Sequence, residues 1–188
     1  MNFSSKLQHG LSRFAGMLAN SKLPVLSHFL IWLATKALHI DLSESELQNF
    51  TSLNDLFTRK LKSSARPLAP KPAVMSPVDG TLSAMGIAVE NQLFTIKHHT
   101  YSLDTLFGHQ SEFSSTFMNG HYALYYLAPH NYHRVHMPCD GTLTHMISLP
   151  GQLHSVNEKL APADVFSRNE RVIALFNVPG GQMAVIFV

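Results

Sequence analysis

Cysteine is almost missing from this 188-residue chain. Cys139 stands alone, which excludes an intrachain disulfide and any Cys-rich metal cluster. Charge is sparse, at 14% of residues, and the formal net charge of +2 is too small for a general nucleic-acid binder. Long hydrophobic runs are absent too: no stretch approaches the ~20 apolar residues of a membrane span. The longest candidate, residues 25–40, is interrupted by Ser27, His28, Thr35, Lys36 and His39. No signal peptide is legible, because Gln8, His9, Ser12 and Arg13 break any early apolar core and no small-residue cleavage site follows. The chain also lacks a Gly-x-Ser-x-Gly elbow, and none of its ten glycines is followed by serine. What is present, 45% hydrophobic residues with ten Gly and ten Pro, is a globular composition long enough to bury a core.

The charge is uneven. Residues 1–71 carry nine Lys/Arg and four acids, net +5, whereas residues 72–188 are net −3. The basic front reads as helical. Leu7, Leu11, Phe14, Ala15 and Leu18 share one face, flanked by Lys6 and Arg13. Pro24 restarts a second helix with a broad apolar surface of Leu26, Phe29, Leu30, Trp32, Leu33, Ala37 and Leu38. A third is expected from Ser52 to about Leu61. Prolines 67, 70, 72 and 77 make residues 67–77 a stiff linker. Beyond it, short strands are expected at 81–89, 92–96, 121–127, 141–147, 171–177 and 182–188, separated by Asp-Gly, Asn-Gly and Pro-Gly turns. A helical turn is expected at 102–107. The units Asp79-Gly80-Thr81-Leu82 and Asp140-Gly141-Thr142-Leu143 each open a strand, as a duplicated half-domain or a recurring turn would. The fold class is therefore α+β: a helical region (1–66), the linker, and a mainly β body (78–188). The apolar strand at 182–188 stops flush, with no turn or polar cap, as a truncation would leave it.

The densest polar constellation is Tyr132-His133-Arg134-Val135-His136. Four readings stay open: a metal site on His133 and His136, which needs further ligands that no Cys cluster or His-Glu-x-x-His helix supplies; phosphate binding by Arg134; buried structural histidines; and general acid–base catalysis, since imidazole titrates near neutral pH. A histidine base needs an orienting carboxylate. Asp79, in a loop shaped by Pro77 and Gly80, is either that carboxylate or an ordinary turn aspartate bonded to its own backbone. No activated nucleophile accompanies them.

Four motifs in register now stand out: Ser76-Pro77-Val78-Asp79-Gly80; Tyr132-His133-Arg134-Val135-His136-Met137-Pro138; Leu149-Pro150-Gly151-Gln152-Leu153-His154-Ser155-Val156-Asn157; and Arg168-Asn169-Glu170-Arg171. With Leu56-Phe57-Thr58-Arg59-Lys60-Leu61 and Arg66-Pro67, they closely resemble the phosphatidylserine decarboxylases from about Ser52 to the last residue. The resemblance implies a pyruvoyl enzyme that removes CO2 from phosphatidylserine and leaves phosphatidylethanolamine. The pyruvoyl group forms when a proenzyme cuts itself at a Gly-Ser bond in a Leu-Gly-Ser-Thr motif. By position, Asp79 and His136 match the carboxylate and base of self-cleavage, and His133 matches the histidine that serves decarboxylation. No metal is implied.

The implied partners are the lipid substrate, a membrane surface met peripherally on the cytoplasmic face of a bacterial cell, and a small pyruvoyl-bearing α chain. A homodimer of αβ units is compatible with this. The departure is the missing Gly-Ser bond. The chain resembles a β chain cut short, and alone it is expected to be inactive. The rival expectations are a lipid-surface binding module without chemistry and a β-rich carrier or scaffold domain.

Overall fold

The computed structural model describes residues 3–96, 99–157 and 160–188, and side chains outside 3–7 and 94–98. Its elements run α1 (Phe3–Ala19), α2 (Pro24–Ala37), α3 (Leu53–Phe57), β1 (Thr81–Ile87), β2 (Gln92–Ile96), β3 (His99–Ser102), α4 (Leu103–Leu106), α5 (Ser111–Ser114), β4 (His121–Tyr126), β5 (Thr142–Leu149), α6 (Val165–Arg168), β6 (Arg171–Val178) and β7 (Gly181–Phe187). A 3-10 turn at Ser115–Phe117 follows α5. The chain is thus mixed helix and sheet, with α1–α3 preceding the first strand in sequence and α4–α6 falling between strands. It divides into two compact units.

The unit formed by Lys6–Thr81 and Tyr126–Cys139 contains α2, α3 and most of α1. Pro24 starts α2 where its missing N–H costs nothing. Ser52 caps α3 by accepting from Asp55 N–H at 3.1 Å. One face of α2, through Ile31, Ala34 and Leu38, packs on the buried cluster Ile40, Phe50 and Leu56. The opposite face leaves Val25, Phe29, Trp32 and Leu33 exposed, and α1 exposes Leu11, Phe14 and Met17. The expected face of α1 is therefore visible at Leu11 and Phe14, while Leu18 is partly buried. The side chains of Lys6 and Leu7 lie outside the described residues.

The third helix is shorter than its sequence suggests. It ends at Phe57 rather than near Leu61, because residues 60–62 are claimed by another segment. Glu46 N–H donates to Lys60 O and Lys62 N–H donates to Glu44 O, both at 2.9 Å, around an antiparallel bridge between Ser45 and Leu61. Those pairings satisfy the backbone in an extended form, and Thr58 turns its hydroxyl back to Asn54 O at 2.8 Å.

The other unit, Leu82–Tyr125 with Asp140–Val188, holds the strands. The antiparallel sheet β5-β6-β7 is its centre, with register Met146↔Ala174 and Leu175↔Ala184. Separate two-stranded pairs join β1 to β4 and β2 to β3. Ala88, Leu103, Phe107, Ile173 and Leu175 form the buried core. Both Asp-Gly-Thr-Leu units open strands, β1 and β5. The strands expected at 92–96, 121–127, 141–147, 171–177 and 182–188 are present within two residues at each end, and the first ends two residues early, at Ile87. The short elements β3, α5 and α6 carry no periodicity long enough to read, and are seen only in the structure.

Two of the four motifs meet in this unit. Gln152 bridges Asn169 in parallel: Gln152 N–H donates to Arg168 O and Glu170 N–H to Gln152 O, both at 2.9 Å. The Asn169 side chain completes the seam, accepting from His154 N–H at 3.0 Å and donating to His154 O at 2.8 Å. A Cβ on Gly151 would lie 2.4 Å from the Asn169 carbonyl carbon, so only glycine permits this approach.

Candidate active site

The other two motifs meet in the helical unit, backbone to backbone. Met75 N–H donates to Pro138 O at 2.9 Å, and His136 N–H donates to Pro77 O at 2.8 Å. The register is that of an antiparallel ladder in which Met75 opposes Pro138 and Pro77 opposes His136. Each pair keeps one bond of two, because its other member is a proline with no N–H to give. The segments lie together without extending into a sheet. Gly80 then passes close to the chain at Tyr126, where a Cβ would sit 2.7 Å from the carbonyl oxygen.

This pairing brings Asp79 and the histidine motif to one edge. The Asp79 carboxylate is gripped by Arg66, whose Nε donates to Oδ1 at 2.9 Å and to Oδ2 at 2.8 Å, with Nη2 also on Oδ2. Arg66 Nη1 reaches Glu44 Oε2 at 2.8 Å. The hydrogen bonds to Asp79 and then Glu44 raise the guanidinium pKa further above its ordinary value. Asp79 is therefore not a turn aspartate satisfied by its own backbone. His136 is exposed, and its Nε2 lies 3.0 Å from the Tyr132 hydroxyl, the two rings stacked 5.6 Å apart. Tyr132 is buried, and burial pushes its hydroxyl pKa up. Asp79 and His136 share no hydrogen bond among the described residues. Each is held by a different partner.

His133, one helical turn's worth of residues earlier, sits in another environment. It is partly buried, with the Phe57 ring edge-on at 5.6 Å and 63°, and its Nε2 lies 3.4 Å from Pro129 O. Burial lowers its pKa below the ordinary imidazole value, the Pro129 carbonyl opposes this, and the Arg59 and His130 charges add to the lowering. Desolvation thus disfavours the protonated ring. Arg134 spends its Nε on Thr58 O at 2.7 Å. A partly buried imidazole and an exposed one in the same motif are suited to two different proton transfers, and Asp79 supplies a carboxylate fixed by Arg66.

The partners Arg66, Tyr132, Phe57 and Arg59 were not legible as site residues. Periodicity and turn chemistry say nothing about contacts across 13 residues, as between Arg66 and Asp79, or 76, as between Thr58 and Arg134. Among the described residues, no group of three His, Cys, Asp or Glu could hold a metal. A cavity of about 300 Å³ lies in the strand unit, lined by Phe113, His145 and Leu175 among others, and includes none of the three candidate residues.

The sequence matches the family described as phosphatidylserine decarboxylase over residues 53–188. It is 44% identical to the phosphatidylserine decarboxylase proenzyme of Alcanivorax borkumensis and 43% identical to that of Pseudoalteromonas translucida, in each case over 96% of this chain and 65% of the relative. The proenzyme of Pseudomonas aeruginosa is 42% identical over 96% of this chain and 64% of its own length. The chain thus spans about 65% of the curated relatives it matches. With both motif pairs in place and identity extending over nearly all of the sequence, the chain belongs to the phosphatidylserine decarboxylase family.

Proposed function

We propose that this chain is the larger part of a pyruvoyl-dependent phosphatidylserine decarboxylase acting at a membrane surface. The observation that carries the reading is the pinning of the Asp79 loop to the histidine motif through His136 N–H on Pro77 O, which gathers a carboxylate and two imidazoles in different surroundings, one exposed and one partly buried. The residues suit a pyruvoyl group, because neutral His133 against Phe57 is a proton acceptor on a dry edge, as work beside an electrophilic carbonyl requires. When bound, that group supplies the electron sink that lets the substrate's carboxylate leave as CO2.

His133 takes a proton from the substrate's ammonium at a ring nitrogen and returns it to the α carbon once that carbon has lost CO2. His136 acts earlier as the base toward the cleavage serine, and Asp79 orients it. Because Asp79 is held by Arg66 and His136 by Tyr132, the pair engages by exchanging those partners. The substrate is phosphatidylserine, the product is phosphatidylethanolamine, and an α chain carrying the pyruvoyl group is the partner. No helix of the described residues is long and apolar enough to cross a membrane. The exposed faces of α1 and α2, within the region 1–66, support peripheral docking on a bacterial membrane through Phe14, Phe29 and Trp32.

The test joins these 188 residues to the C-terminal segment of the Alcanivorax borkumensis relative, with that relative's own proenzyme as control. Self-cleavage on a gel and CO2 release from phosphatidylserine vesicles are expected. Asp79→Asn and His136→Ala should leave the proenzyme uncut, and His133→Ala should cut but turn over poorly. Cleaved chains that release no CO2 would refute the activity. Wild-type cleavage in His136→Ala would refute the division of roles. The 188 residues alone, which contain no Gly-Ser bond, should release none.

A further inference from the structure

We propose that the segment Phe57-Thr58-Arg59 is a built platform that positions His133, with Arg59 and Arg134 as its two positioning residues. Three consecutive residues each meet a different part of the loop that carries the histidine. Phe57 sets its ring edge against the imidazole, at 5.6 Å between centroids. The Thr58 carbonyl accepts from Arg134 Nε at 2.7 Å, fixing the residue next to His133. Arg59 Nη2 points at the carbonyls of His130 and Asn131, at 3.5 and 3.4 Å. The loop is closed on itself between Ala128 and Asn131, whose side chain accepts from Ala128 N–H at 2.7 Å. The platform is fixed from behind. Leu56 is fully buried, and residues 60–62 pair with 44–46.

Arg59 is the residue that a stability argument does not explain. It is 5% exposed, its Nη1 and Nη2 bonds are long, and its Nε is buried with no partner among the described residues. Among the described residues no carboxylate is hydrogen-bonded to it. An apolar side chain of similar volume would fill this space without stranding a donor. What the guanidinium adds is a forked donor under the loop carbonyls and a fixed positive charge near His133. The charged and titratable groups that reach the imidazole are Arg59 and His130, and both oppose its protonation. The platform thus sets where the ring is and keeps it in the neutral form.

The inference rests on the reading of His133 as a proton-transfer group, and the two fail separately. Positioning is measured on the 188-residue chain itself, by NMR titration of ring-labelled histidine with His133→Gln to assign the signal. Wild type should titrate below an ordinary imidazole. Arg59→Gln should raise the His133 midpoint by about half a pH unit through loss of the charge. Arg59→Lys, which keeps the charge, should restore most of the shift. Arg134→Met, a less buried change, should also raise the midpoint as the loop loosens and water reaches the ring. Should Arg59→Gln not fold, Arg134→Met decides. Folded variants whose His133 midpoint matches wild type would overturn the proposal. Failure of His133→Ala to impair turnover in the joined full-length protein would instead overturn the role of His133 and leave the positioning intact.

Discussion

His133 and His136 are three residues apart and differ in what surrounds them. His136 is exposed and paired with a phenol, whereas His133 is partly buried against Phe57. A histidine whose folded pKa lies below its unfolded value binds fewer protons folded than unfolded in the window between the two. Its contribution is complete above the unfolded value, near 6.5. It is lost as pH falls from there through the folded pKa. The chain should therefore lose stability on acidification below about pH 6.5. His133→Gln should flatten that dependence, and denaturant melts at a series of pH values measure it. An unchanged slope in the variant would mean that other groups dominate the acid response.

Arg171 and Gly151 show how single residues decide the joints between elements. Arg171 opens β6 and is buried with four carbonyl contacts: Nε on Leu106 O at 2.7 Å, Nη1 on Ser167 O at 2.8 Å and Asn169 O at 2.9 Å, and Nη2 on Thr105 O at 2.8 Å. It caps the ends of α4 and α6 at once, in the role that basic residues play at helix C-termini. Arg171→Met should cost about 3–5 kcal/mol, since it strands buried acceptors. Arg171→Lys should recover only part, because an ammonium cannot fork to four oxygens. Gly151→Ala should cost about 1–3 kcal/mol or more, because the clash is with backbone that cannot step aside. Chemical denaturation reads both, and a shift below ~1 kcal/mol at either site would contradict the contacts described.

At the scale of the whole molecule the question is what the helical front is for. One face of α2 stabilises the fold through Ile31, Ala34 and Leu38, while Phe29 and Trp32 on the other face are more than half exposed. The two faces predict separable phenotypes. Phe29→Ser with Trp32→Ser should shift stability by no more than about 0.5 kcal/mol per site. It should cut co-sedimentation with anionic vesicles, where tryptophan favours the interfacial zone. Leu56→Ala should do the reverse, costing about 3 kcal/mol and leaving vesicle affinity of the folded fraction unchanged. Binding by the intact chain should rise with anionic lipid and weaken, without vanishing, in high salt, since salt screens the basic residues but not apolar burial. Equal sedimentation of the double variant and wild type would remove the membrane role from this face.

The positions of β5, β6 and β7 were legible because apolar runs bounded by Asp-Gly and Pro-Gly turns leave few alternatives. The start of α3 was legible at Ser52, whose hydroxyl competes for the first free N–H of the helix. These are local matters, and adjacent residues are enough to decide them. Asp79, His133 and His136 could be named from their chemistry and the motifs around them, but not the groups that hold them. The end of α3 at Phe57 came from pairing with residues 44–46, the grip of Arg66 on Asp79 from a contact across 13 positions, and the lowered pKa of His133 chiefly from burial. Local sequence determines dihedral preferences and turn chemistry. Desolvation and hydrogen-bond partnership depend on which distant segments pack together, and only the tertiary structure decides that.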